Sequence, residues 1–428
     1  MSKKVAAIVD VFWGDNGKGM LADYISPNYD IVCRPTSGSN SGHQIVINRE
    51  KHTARLIPSG IFNPNIKAVL GNGMVICPFT LAEEINGLIK SGFSRADILD
   101  QIIVSDNASI VMPYHKFVDS YLSSSKAIGT TKNGIGMAYA DKVSRVGIRF
   151  SDFFDLVVLK EKMAIAIKNW ANVLGSNKDF LGDDFDIDKI LDNLKPILID
   201  LLPLVENTEY YLNNAYNNGK DILLEGSQGH QLSLNFGTYP FVTSCDCSIG
   251  GMVSGSGLSA NKINSVIGVL KGYITRVGAG PFPTKLEGTT AEFLQKSGNE
   301  FGSVTGRPRD VGWLDLELLK QAVMINGITE IALTKLDVML GLPEIKICSN
   351  YKFLGSTSTY EYSFLRDLYK VKPQYKTLPG WSEDITQVRS FEDLPQNTKD
   401  YIKFIEDSVE VPVRIISVGA DREATFTK

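Results

Sequence analysis

Apolar residues along the chain follow two alternating patterns. Short runs rich in β-branched residues, such as residues 5–12 and 29–34, alternate with longer stretches whose apolar residues recur at helical spacing, such as residues 154–173 and 187–216. Short buried strands separated by longer helices are typical of α/β proteins with a parallel sheet. The pattern therefore predicts an α/β fold with a mostly parallel central sheet flanked by helices.

The other predicted elements repeat these two patterns. Further strands are predicted at residues 67–70, 74–77, 221–224, 263–272, 328–333 and 413–418, and further helices at residues 79–91, 95–102, 314–326 and 397–409. A polar segment, residues 175–186, is interpreted as a surface loop. Since no repeat, low-complexity tract or linker interrupts the pattern, we expect one large domain over residues 1–428 with loop-rich insertions.

Composition narrows the class of protein. The 428 residues carry a formal net charge of −4, and no cluster of Lys and Arg is long enough for a nucleic-acid footprint. The apolar run at residues 5–9 ends at Asp10, too early for a signal core or a membrane span. We expect a protein that binds neither nucleic acid nor a membrane. Five dispersed cysteines form no disulfide or zinc pattern, which is typical of the reducing cytoplasm.

A glycine-rich segment follows the first predicted strand. Residues 13–19 read Trp-Gly-Asp-Asn-Gly-Lys-Gly, and such glycines let backbone N–H groups approach phosphate while Lys18 supplies charge. The spacing differs from that of a Walker A loop. Asp15 would repel an anion unless it binds a cation or a proton, which indicates a Mg²⁺ ligand, a general base, or both. A glycine-rich hairpin capped by Asp15 is the structural alternative.

Two further polar segments are candidates for ligand binding. Residues 37–43 follow the second strand and end in His43, a candidate general acid, although a lone histidine is often structural. Thr131, Lys142 and Arg145 combine a hydroxyl with two cations, which suits phosphate. The two cations share a face only if their segment is helical, and a solvated loop is the alternative.

An amide and a pair of arginines add to the set. Gln228 follows the strand at residues 221–224 and offers a donor and an acceptor to a base edge, although amides in such turns are usually structural. Arg307 and Arg309 flank Pro308 and can hold a carboxylate or phosphate. An exposed arginine pair is the alternative.

Residues 334–337, Thr-Lys-Leu-Asp, end the strand predicted at residues 328–333. A strand ending in [NT]-K-x-D is a guanine signature. The Asp337 carboxylate can accept from both N1–H and the 2-amino group of guanine, and adenine leaves it unpaired. Together the segments indicate a nucleotide-dependent enzyme.

In this order, the motifs resemble those of the adenylosuccinate synthetase family. The resemblance extends from about residue 5 to residue 421. The segments that carry it are residues 13–19, 40–43, 57–61, 71–75, 128–131, 141–149, 225–229, 237–244, 275–284, 305–309, 312–315, 334–338 and 378–382.

The resemblance implies a fold, a reaction and its participants. The fold is a P-loop-NTPase-like α/β domain. The family uses GTP to phosphorylate the six-oxygen of IMP, and L-aspartate then displaces that phosphate to give adenylosuccinate, GDP and phosphate in AMP synthesis. The partners implied are GTP, a purine mononucleotide and L-aspartate, with Mg²⁺ as the cofactor.

The resemblance also implies a role for individual residues. Asp15 matches the base on purine N1 and a Mg²⁺ ligand, the Gly42 carbonyl matches a second ligand, and His43 matches the acid that assists phosphoryl transfer. Lys18 and Gln228 complete the catalytic set. Arg145 matches an arginine that reaches the nucleotide of the neighbouring subunit, which implies a homodimer.

The binding positions follow from the same matches. The positions implied for IMP are Asn40, Thr131, Arg145, Gln228, Thr243 and Arg307. Those for aspartate are Thr305, Arg307 and Arg309. Those for GTP are Gly14, Gly17, Lys18, Gly19, Lys335, Asp337, Ser417 and Gly419.

Several residues depart from the family pattern. Met20 replaces a usual lysine, and Ser233 and Asn235 stand where acids are common. The other departures are Lys132, Asn133, Met137 and Asp310.

Two alternatives to an IMP ligase stay open. A related branch that accepts dGMP usually lacks the acid matching Asp15, whose carboxylate would crowd the 2-amino group, so Asp15 favours IMP. A GTP-binding regulator without catalysis is the other alternative, and the presence of Asp15, His43, Arg307 and Arg309 argues against it.

Overall fold

The computed structural model describes residues 4–47, 50–175, 182–301, 308–353, 356–358 and 368–428. Within these ranges the chain alternates strands and helices, which confirms the predicted α/β class. The strands are β1 Val5–Asp10, β2 Ile31–Ser37, β3 His43–Ile47, β4 Glu50–Ala54, β5 Lys67–Ile76, β6 Ile102–Ser105, β7 Ser109–Ile110, β8 Val205–Glu206, β9 Ile222–Glu225, β10 Ser265–Lys271, β11 Ile274–Arg276, β12 Asp310–Gly312, β13 Leu314–Asp315, β14 Glu330–Thr334, β15 Glu344–Phe353, β16 Ser356–Ser358, β17 Lys372–Pro379, β18 Val413–Ser417 and β19 Thr425–Thr427.

The helices flank and connect these strands. They are α1 Lys18–Ile25, α2 Pro78–Lys90, α3 Arg95–Gln101, α4 Pro113–Tyr121, α5 Ser123–Ile128, α6 Ile135–Ser144, α7 Leu156–Leu174, α8 Ile187–Leu201, α9 Thr208–Asn217, α10 Ile249–Ser256, α11 Thr289–Ser297, α12 Leu316–Asn326 and α13 Gln396–Val409. No helix in the described ranges combines the length and the apolar character that crossing a membrane requires.

The central sheet is parallel throughout except at one edge. Its strand order is β19-β18-β14-β10-β1-β9-β2-β5-β6-β8, with β7 beside β5. Only β19 runs antiparallel to its neighbour, β18. Parallel strands require crossover connections, which the intervening helices supply. The sheet therefore has helices on its faces and all its parallel strands ending at one edge.

The strand β1 lies near the middle of the sheet and is buried on both faces. It pairs in parallel with β10 on one side and with β9 on the other. Ala7 and Val9 pack in one apolar cluster, and Ala6 and Ile8 pack in another on the opposite face, together with Leu21 of α1. This two-sided burial explains why β1 is a continuous apolar run rather than an alternating one.

The predicted helix over residues 187–216 is wrong in its middle. The structure has two helices here, α8 and α9, with a short 3-10 turn and β8 between them. Pro203 lies in the turn and has no backbone N–H for a continuing helix. The side chain of Asn207 then accepts from the backbone N–H of Tyr210 and starts α9.

Two other predicted segments differ from the structure in smaller ways. The strands expected at residues 67–70 and 74–77 are one strand, β5. In the predicted surface loop at residues 175–186, residues 176–181 lie outside the described residues, and Asp183–Phe185 form a 3-10 turn.

Candidate functional site

The candidate residues follow the carboxyl ends of neighbouring strands. Residues 14–19 follow β1, residues 38–42 follow β2, and residues 226–229 follow β9. Residues 335–337 follow β14, which only β10 separates from β1. Because the carboxyl ends of parallel strands meet at one edge, these loops converge on the side of the sheet where α/β proteins bind ligands.

The segment between β1 and α1 adopts a conformation that its glycines allow. Gly14 and Gly17 have φ values of 89° and 95°, and Asp15 between them has φ 60°. Side-chain-bearing residues rarely adopt this left-handed region, so Asp15 is held there by its surroundings. Lys18 begins α1 directly after Gly17, so the loop leads into a helix N-terminus that suits phosphate.

Asp10, the last residue of β1, holds this loop in place. Its Oδ1 accepts from the backbone N–H of Gly14 at 3.2 Å and from the side-chain amide of Asn16 at 2.7 Å. Its Oδ2 lies 3.1 Å from Lys18 Nζ, and both side chains are buried. Lys18 also donates to the carbonyl of Gln228. One buried carboxylate thus ties the backbone of the loop to its cation.

Asp15 lies at the open side of the loop and faces an arginine. Its side chain is 41% exposed, and its Oδ2 lies 3.2 Å from Nη2 of Arg309. The structure therefore brings together the predicted acid and one predicted aspartate-binding arginine. Thr305 and Arg307, the other predicted members of that group, lie outside the described residues.

His43 pairs with an acid that the sequence analysis did not single out. Its Nδ1 contacts Oε1 of Glu225, the last residue of β9. Glu225 also accepts from the hydroxyl and the backbone N–H of Ser59, each at 2.7 Å. Nε2 of His43 is buried without a hydrogen-bond partner. A Cβ on Gly19 would lie 2.6 Å from the His43 Cβ, so a glycine there lets the imidazole lie against the phosphate loop.

Burial and charge decide the ionisation of this pair. Burial lowers the pKa of His43, and the nearby Glu225 carboxylate only partly opposes that effect. Burial alone would raise the pKa of Glu225, but His43, Arg34 and Ser59 together hold it below its ordinary value. These shifts favour an ionised Glu225, and a neutral His43 that donates from Nδ1 to this carboxylate would present a bare Nε2.

A polar cluster joins the loops after β2 and β9. The side-chain amide of Gln228 donates to Ser37 Oγ at 2.6 Å and to Asn40 Oδ1 at 3.1 Å. The Asn40 amide donates to Thr243 Oγ1 at 3.2 Å. Gln228 has φ 47°, a strained conformation for a glutamine. Three predicted purine-nucleotide residues, Asn40, Gln228 and Thr243, are thus in one hydrogen-bonded group.

Two other predicted nucleotide residues lie apart from this cluster. Thr131 is exposed and accepts from the side-chain amide of Asn133 at 3.2 Å. Arg145 is exposed at the end of α6 with φ 65°. Lys142 lies within α6, and its Nζ donates to the carbonyl of Asn72 at 2.9 Å, so phosphate binding by Lys142 and Arg145 stays a prediction.

In the predicted guanine signature, Lys335 and Asp337, which follow β14, are both half-buried. Lys335 has φ 55° and donates from Nζ to the carbonyl of Gly298 at 3.0 Å. Oδ1 of Asp337 is buried without a hydrogen-bond partner, and this burial raises the pKa of Asp337 although Lys335 opposes the shift. An unpaired buried acceptor costs stability, so Asp337 is ready to accept from a ligand.

The expected far wall of the guanine pocket follows β18. Ser417 Oγ donates to the carbonyl of Gly419 at 2.8 Å. Met20, which replaces a usual lysine, places its sulfur 3.8 Å from Ser417 Oγ and 3.9 Å from Thr425 Oγ1. The departure at Met20 therefore puts a thioether, rather than a charge, between α1 and this wall.

The departures at Ser233 and Asn235 have a common partner. Ser233 Oγ donates to Asp246 Oδ1 at 2.8 Å, and the Asn235 amide donates to Asp246 Oδ2 at 3.2 Å. Both neutral side chains therefore hold one carboxylate that comes from a later part of the chain. Asp310, another departure, pairs with Lys285 at 2.8 Å.

Three acids important to the site were missed by the sequence analysis. Asp10 and Glu225 each end an apolar strand, and a charged residue in that position is a usable sequence signal. Glu300 lies in a loop and is also buried. No local pattern marks Glu300, because its cationic neighbours come from distant segments.

The fold and the converging loops define a nucleotide-dependent α/β enzyme. The sequence profile of the adenylosuccinate synthetase family matches residues 7–426. The chain therefore belongs to the adenylosuccinate synthetase family, and it is a GTP-dependent C–N ligase. Its large, mostly parallel sheet agrees with the fold that the resemblance implied.

Individual relatives agree with this assignment. The chain is 43% identical to the adenylosuccinate synthetase of Halothermothrix orenii over 432 residues, covering 100% of this chain and 99% of that protein. It is 40% identical to that of Salinibacter ruber, covering 99% and 98%. The fully ligated adenylosuccinate synthetase from Plasmodium falciparum superposes with a TM-score of 0.92 at 37% identity, covering 99% and 100%.

A more distant structure shares the fold alone. The succinoaminodeoxyadenylate synthetase of cyanophage S-2L, bound to dGMP and dATP, superposes with a TM-score of 0.64 at 20% identity, covering 100% of this chain and 96% of that one.

Replacing Glu225 by Gln tests the His43–Glu225 pair. Glutamine still accepts a hydrogen bond but supplies no charge, so the imidazolium of His43 loses its stabilisation and its pKa falls further. If His43 acts as an acid, we expect kcat to fall about 100-fold, the lower end of general acid catalysis. As pH rises, the activity that remains should be lost at a lower pH than in the wild type, because the pKa of His43 is lower and its proton dissociates at a lower pH.

Ser59→Ala is the matched control for this variant. It removes one hydroxyl donor to Glu225 but keeps the carboxylate charge, so its pH profile should shift less than that of Glu225→Gln. A Glu225→Gln enzyme with the kcat and pH profile of the wild type would show that the pair has no part in the reaction.

Proposed function

We propose that this enzyme ligates L-aspartate to the six-position of IMP through 6-phosphoryl-IMP, with GTP as the phosphoryl donor. The observation that carries the proposal is the contact of His43 with the phosphate loop at Gly19. Nε2 of this histidine is buried without a hydrogen-bond partner, so it is available to a transferring phosphoryl group bound at that loop. The guanine signature, the cluster of Gln228 and Asn40, and the acid Asp15 surround that place.

The proposed chemistry begins with the purine. The six-oxygen of hypoxanthine is a poor leaving group and a weak nucleophile. Removal of the N1 proton by Asp15 makes that oxygen a nucleophile toward the γ-phosphorus, and the resulting phosphate ester makes it a leaving group. The amine of aspartate then attacks C6, and inorganic phosphate departs.

His43 is proposed to acquire its acid role only when substrates are bound. The neutral imidazole of the free site faces the phosphate loop. Incoming phosphate charge favours the protonated form, and the carboxylate of Glu225 stabilises it from the other side. His43 then donates from Nε2 to an oxygen of the transferring phosphoryl group, where negative charge accumulates.

We infer that Mg²⁺ is held by the Asp15 carboxylate and the Gly42 carbonyl. In the described ranges, no three His, Cys, Asp or Glu residues cluster as a cation site. A donor set of one carboxylate and one carbonyl fits Mg²⁺, which usually binds one or two carboxylates together with substrate phosphates. When bound, the ion would neutralise phosphate charge, while Arg309 keeps its own charge near Asp15.

The remaining ligand assignments follow from the same site. We propose that Gly14, Gly17, Lys18 and Gly19 bind GTP phosphates. We propose that Lys335, Asp337, Ser417 and Gly419 hold guanine. Asn40, Thr131, Gln228 and Thr243, with Arg307 and the neighbouring subunit's copy of Arg145, are proposed to bind IMP. Thr305, Arg307 and Arg309 are proposed to bind aspartate.

We infer a cytoplasmic enzyme. All five cysteines are free and buried, which is typical of proteins in reducing compartments.

The acceptor is tested by phosphate release with Mg-GTP and L-aspartate in parallel reactions with IMP, GMP and dGMP. We expect turnover with IMP alone, because the resemblance implies that the Asp15 carboxylate would crowd a 2-amino group. Asp15→Asn is the control and should abolish IMP turnover. Turnover with dGMP alone would support the alternative that the enzyme is a dGMP–aspartate ligase. No phosphate release with any of the three nucleotides would favour a GTP-binding regulator.

Asp337→Asn tests the guanine pocket. An amide at this position no longer accepts from both N1–H and the 2-amino group, but it can donate to the two-oxygen of xanthine. We expect the KM for GTP to rise about 100-fold or more, and xanthosine triphosphate to become a substrate. The exposed acid Asp384 supplies the control: Asp384→Asn should leave both properties unchanged. An Asp337→Asn enzyme that keeps its preference for GTP would show that other residues bind guanine.

We also propose a homodimer in which Arg145 completes the neighbouring site. Arg145 and its neighbour Val143, 80% exposed, lie at the end of α6. Nearby in sequence, Phe154, Leu156 and Val157 are 65%, 61% and 69% exposed. Exposed apolar residues of this size are typical of protein interfaces.

Subunit complementation tests this arrangement. Arg145→Ala and Asp15→Ala enzymes should each be nearly inactive. In a hybrid dimer, one site has an intact Asp15 and receives an intact Arg145 from its neighbour. An equal, re-equilibrated mixture should therefore recover about a quarter of wild-type activity, since half of the dimers are hybrids with one complete site. Mixtures that recover nothing would place Arg145 in its own subunit's site.

A further inference from the structure

A buried carboxylate lies between the guanine pocket and the predicted aspartate-binding loop. Glu300 has no exposed surface. Its Oε1 accepts from Lys271 Nζ at 2.8 Å, from Tyr273 Oη at 2.7 Å and from Lys335 Nζ at 2.7 Å. Its Oε2 accepts from Arg309 Nη1 at 2.8 Å. We call these five residues the Glu300 junction.

The two lysines of the junction come from adjacent strands of the sheet. Lys271 ends β10, and it is paired in register with Thr334, the last residue of β14. Lys335 comes next in the chain, two residues before Asp337. The direction of the Lys335 side chain, which belongs to the guanine signature, is therefore set by Glu300 and by the carbonyl of Gly298.

The backbone of the junction forms the base of the segment 302–307. The backbone N–H of Arg309 donates to the Glu300 carbonyl at 2.9 Å, and Phe301 and Pro308 form an isolated antiparallel bridge. Glu300 and Arg309 therefore lie side by side at the two ends of the segment that carries Thr305 and Arg307.

Charge makes Glu300 difficult to replace. The side chains of Lys271, Lys335 and Arg309 all contact this one carboxylate, and Arg309 also pairs with Asp15. Lys271 is fully buried, and burial lowers its pKa to about 8 although Glu300 opposes the shift. Without the carboxylate, the three cations would repel one another in a poorly solvated space. Each side chain would then reorient toward another hydrogen-bond acceptor.

We propose that Glu300 is a positioning residue that couples Lys335 of the guanine signature to Arg309, a predicted aspartate-binding residue. It orients Lys335 on one side and Arg309 on the other, so that filling one site favours the arrangement needed at the other. The inference rests on the proposed function, since it takes Lys335 and Arg309 as ligand-binding groups. It adds a residue that touches neither guanine nor aspartate.

The coupling has a measurable consequence. If GTP or GDP draws Lys335 into its binding position through Glu300, the same movement holds Arg309 for aspartate. Thermodynamic linkage then requires aspartate to tighten nucleotide binding by the same factor by which the nucleotide tightens aspartate binding. The effect should be smaller for the purine mononucleotide, because Asn40, Gln228 and Thr243 make their described hydrogen bonds outside the junction and only Asp15 contacts it, through Arg309.

Glu300→Gln in the full-length enzyme tests the proposal. Glutamine has the same shape and keeps an acceptor, but it removes the charge that holds three cations. We expect the KM values for GTP and for L-aspartate each to rise about tenfold, the loss expected for one charge-assisted hydrogen bond. The KM for the purine mononucleotide should stay within about twofold. Glu292→Gln, the same change at an exposed position in α11, is the matched control.

Calorimetry of GDP binding measures the coupling directly. In the wild type, L-aspartate added with the mononucleotide should tighten GDP binding, and in Glu300→Gln this factor should fall to about one. Glu300→Gln that keeps the full factor would overturn the proposal. If the wild-type enzyme makes no adenylosuccinate but still shows the coupling, the proposed function fails and the coupling stands.

A double variant separates positioning from mere neutralisation of Lys271. Lys271→Met with Glu300→Gln removes the buried cation together with its partner, and it should restore much of any thermal stability lost in the single variant. The raised KM values and the lost coupling should remain, because Lys335 and Arg309 still lack the shared carboxylate charge. Full recovery of the KM values in the double variant would show that Glu300 serves only to neutralise Lys271, which would overturn the proposal.

Discussion

The carboxylate of Asp10 is the contact on which the geometry of the site depends. It ends the central strand β1, is buried, and receives backbone and side-chain donors from the loop that follows. A loop of this kind has many N–H groups and few partners of its own. Asp10 accepts from the backbone N–H groups of Phe12, Gly14 and Asn16, and so fixes the loop that carries Asp15 and leads into α1. The position of the proposed phosphate site therefore follows from one residue at the end of one strand.

Two other buried acids repeat this arrangement at neighbouring strand ends. Glu225 ends β9 and orients His43, and Glu300 receives the lysine that ends β10 and the lysine that follows β14. A buried carboxylate is costly unless cations and hydrogen-bond donors surround it. Here each acid is surrounded by groups that are proposed to contact substrates. The same interactions that keep the buried charges stable also restrict the directions in which the functional side chains point.

The site combines these fixed contacts with groups left without partners. Nε2 of His43 and Oδ1 of Asp337 are buried and unpaired, and the backbone at Asp15, Gln228 and Lys335 is left-handed. Unpaired buried groups and unusual backbone angles reduce stability. At these positions of the candidate site, a polar and highly charged ligand would supply the missing partners.

Much of the fold and part of the candidate site can be predicted from the sequence. Because β1 is buried on both faces, it is recognisable in the sequence as an apolar run. The helices that begin at Leu156 and Leu316 each follow a capping aspartate. The glycine-rich segment and residues 334–337 carry their chemistry in consecutive residues, so their roles can be inferred from residue type and order. The split between α8 and α9 was missed because helical spacing continues across Pro203, and β8 exists only through its pairing with β6.

The partners of the functional residues were decided by the tertiary structure alone. Glu225 meets His43 across 182 residues of sequence, and Lys335 meets Glu300 across 35. In the sequence, a buried acid such as Glu225 or Glu300 cannot be distinguished from other charged residues. Its partners are known only when the order of the strands in the sheet is known. Sequence determined which residues can carry phosphate, guanine and proton chemistry, because that depends on residue type and local spacing. The fold determined which of them act on one another, because buried charges interact over a few ångströms and the chain alone does not set those distances.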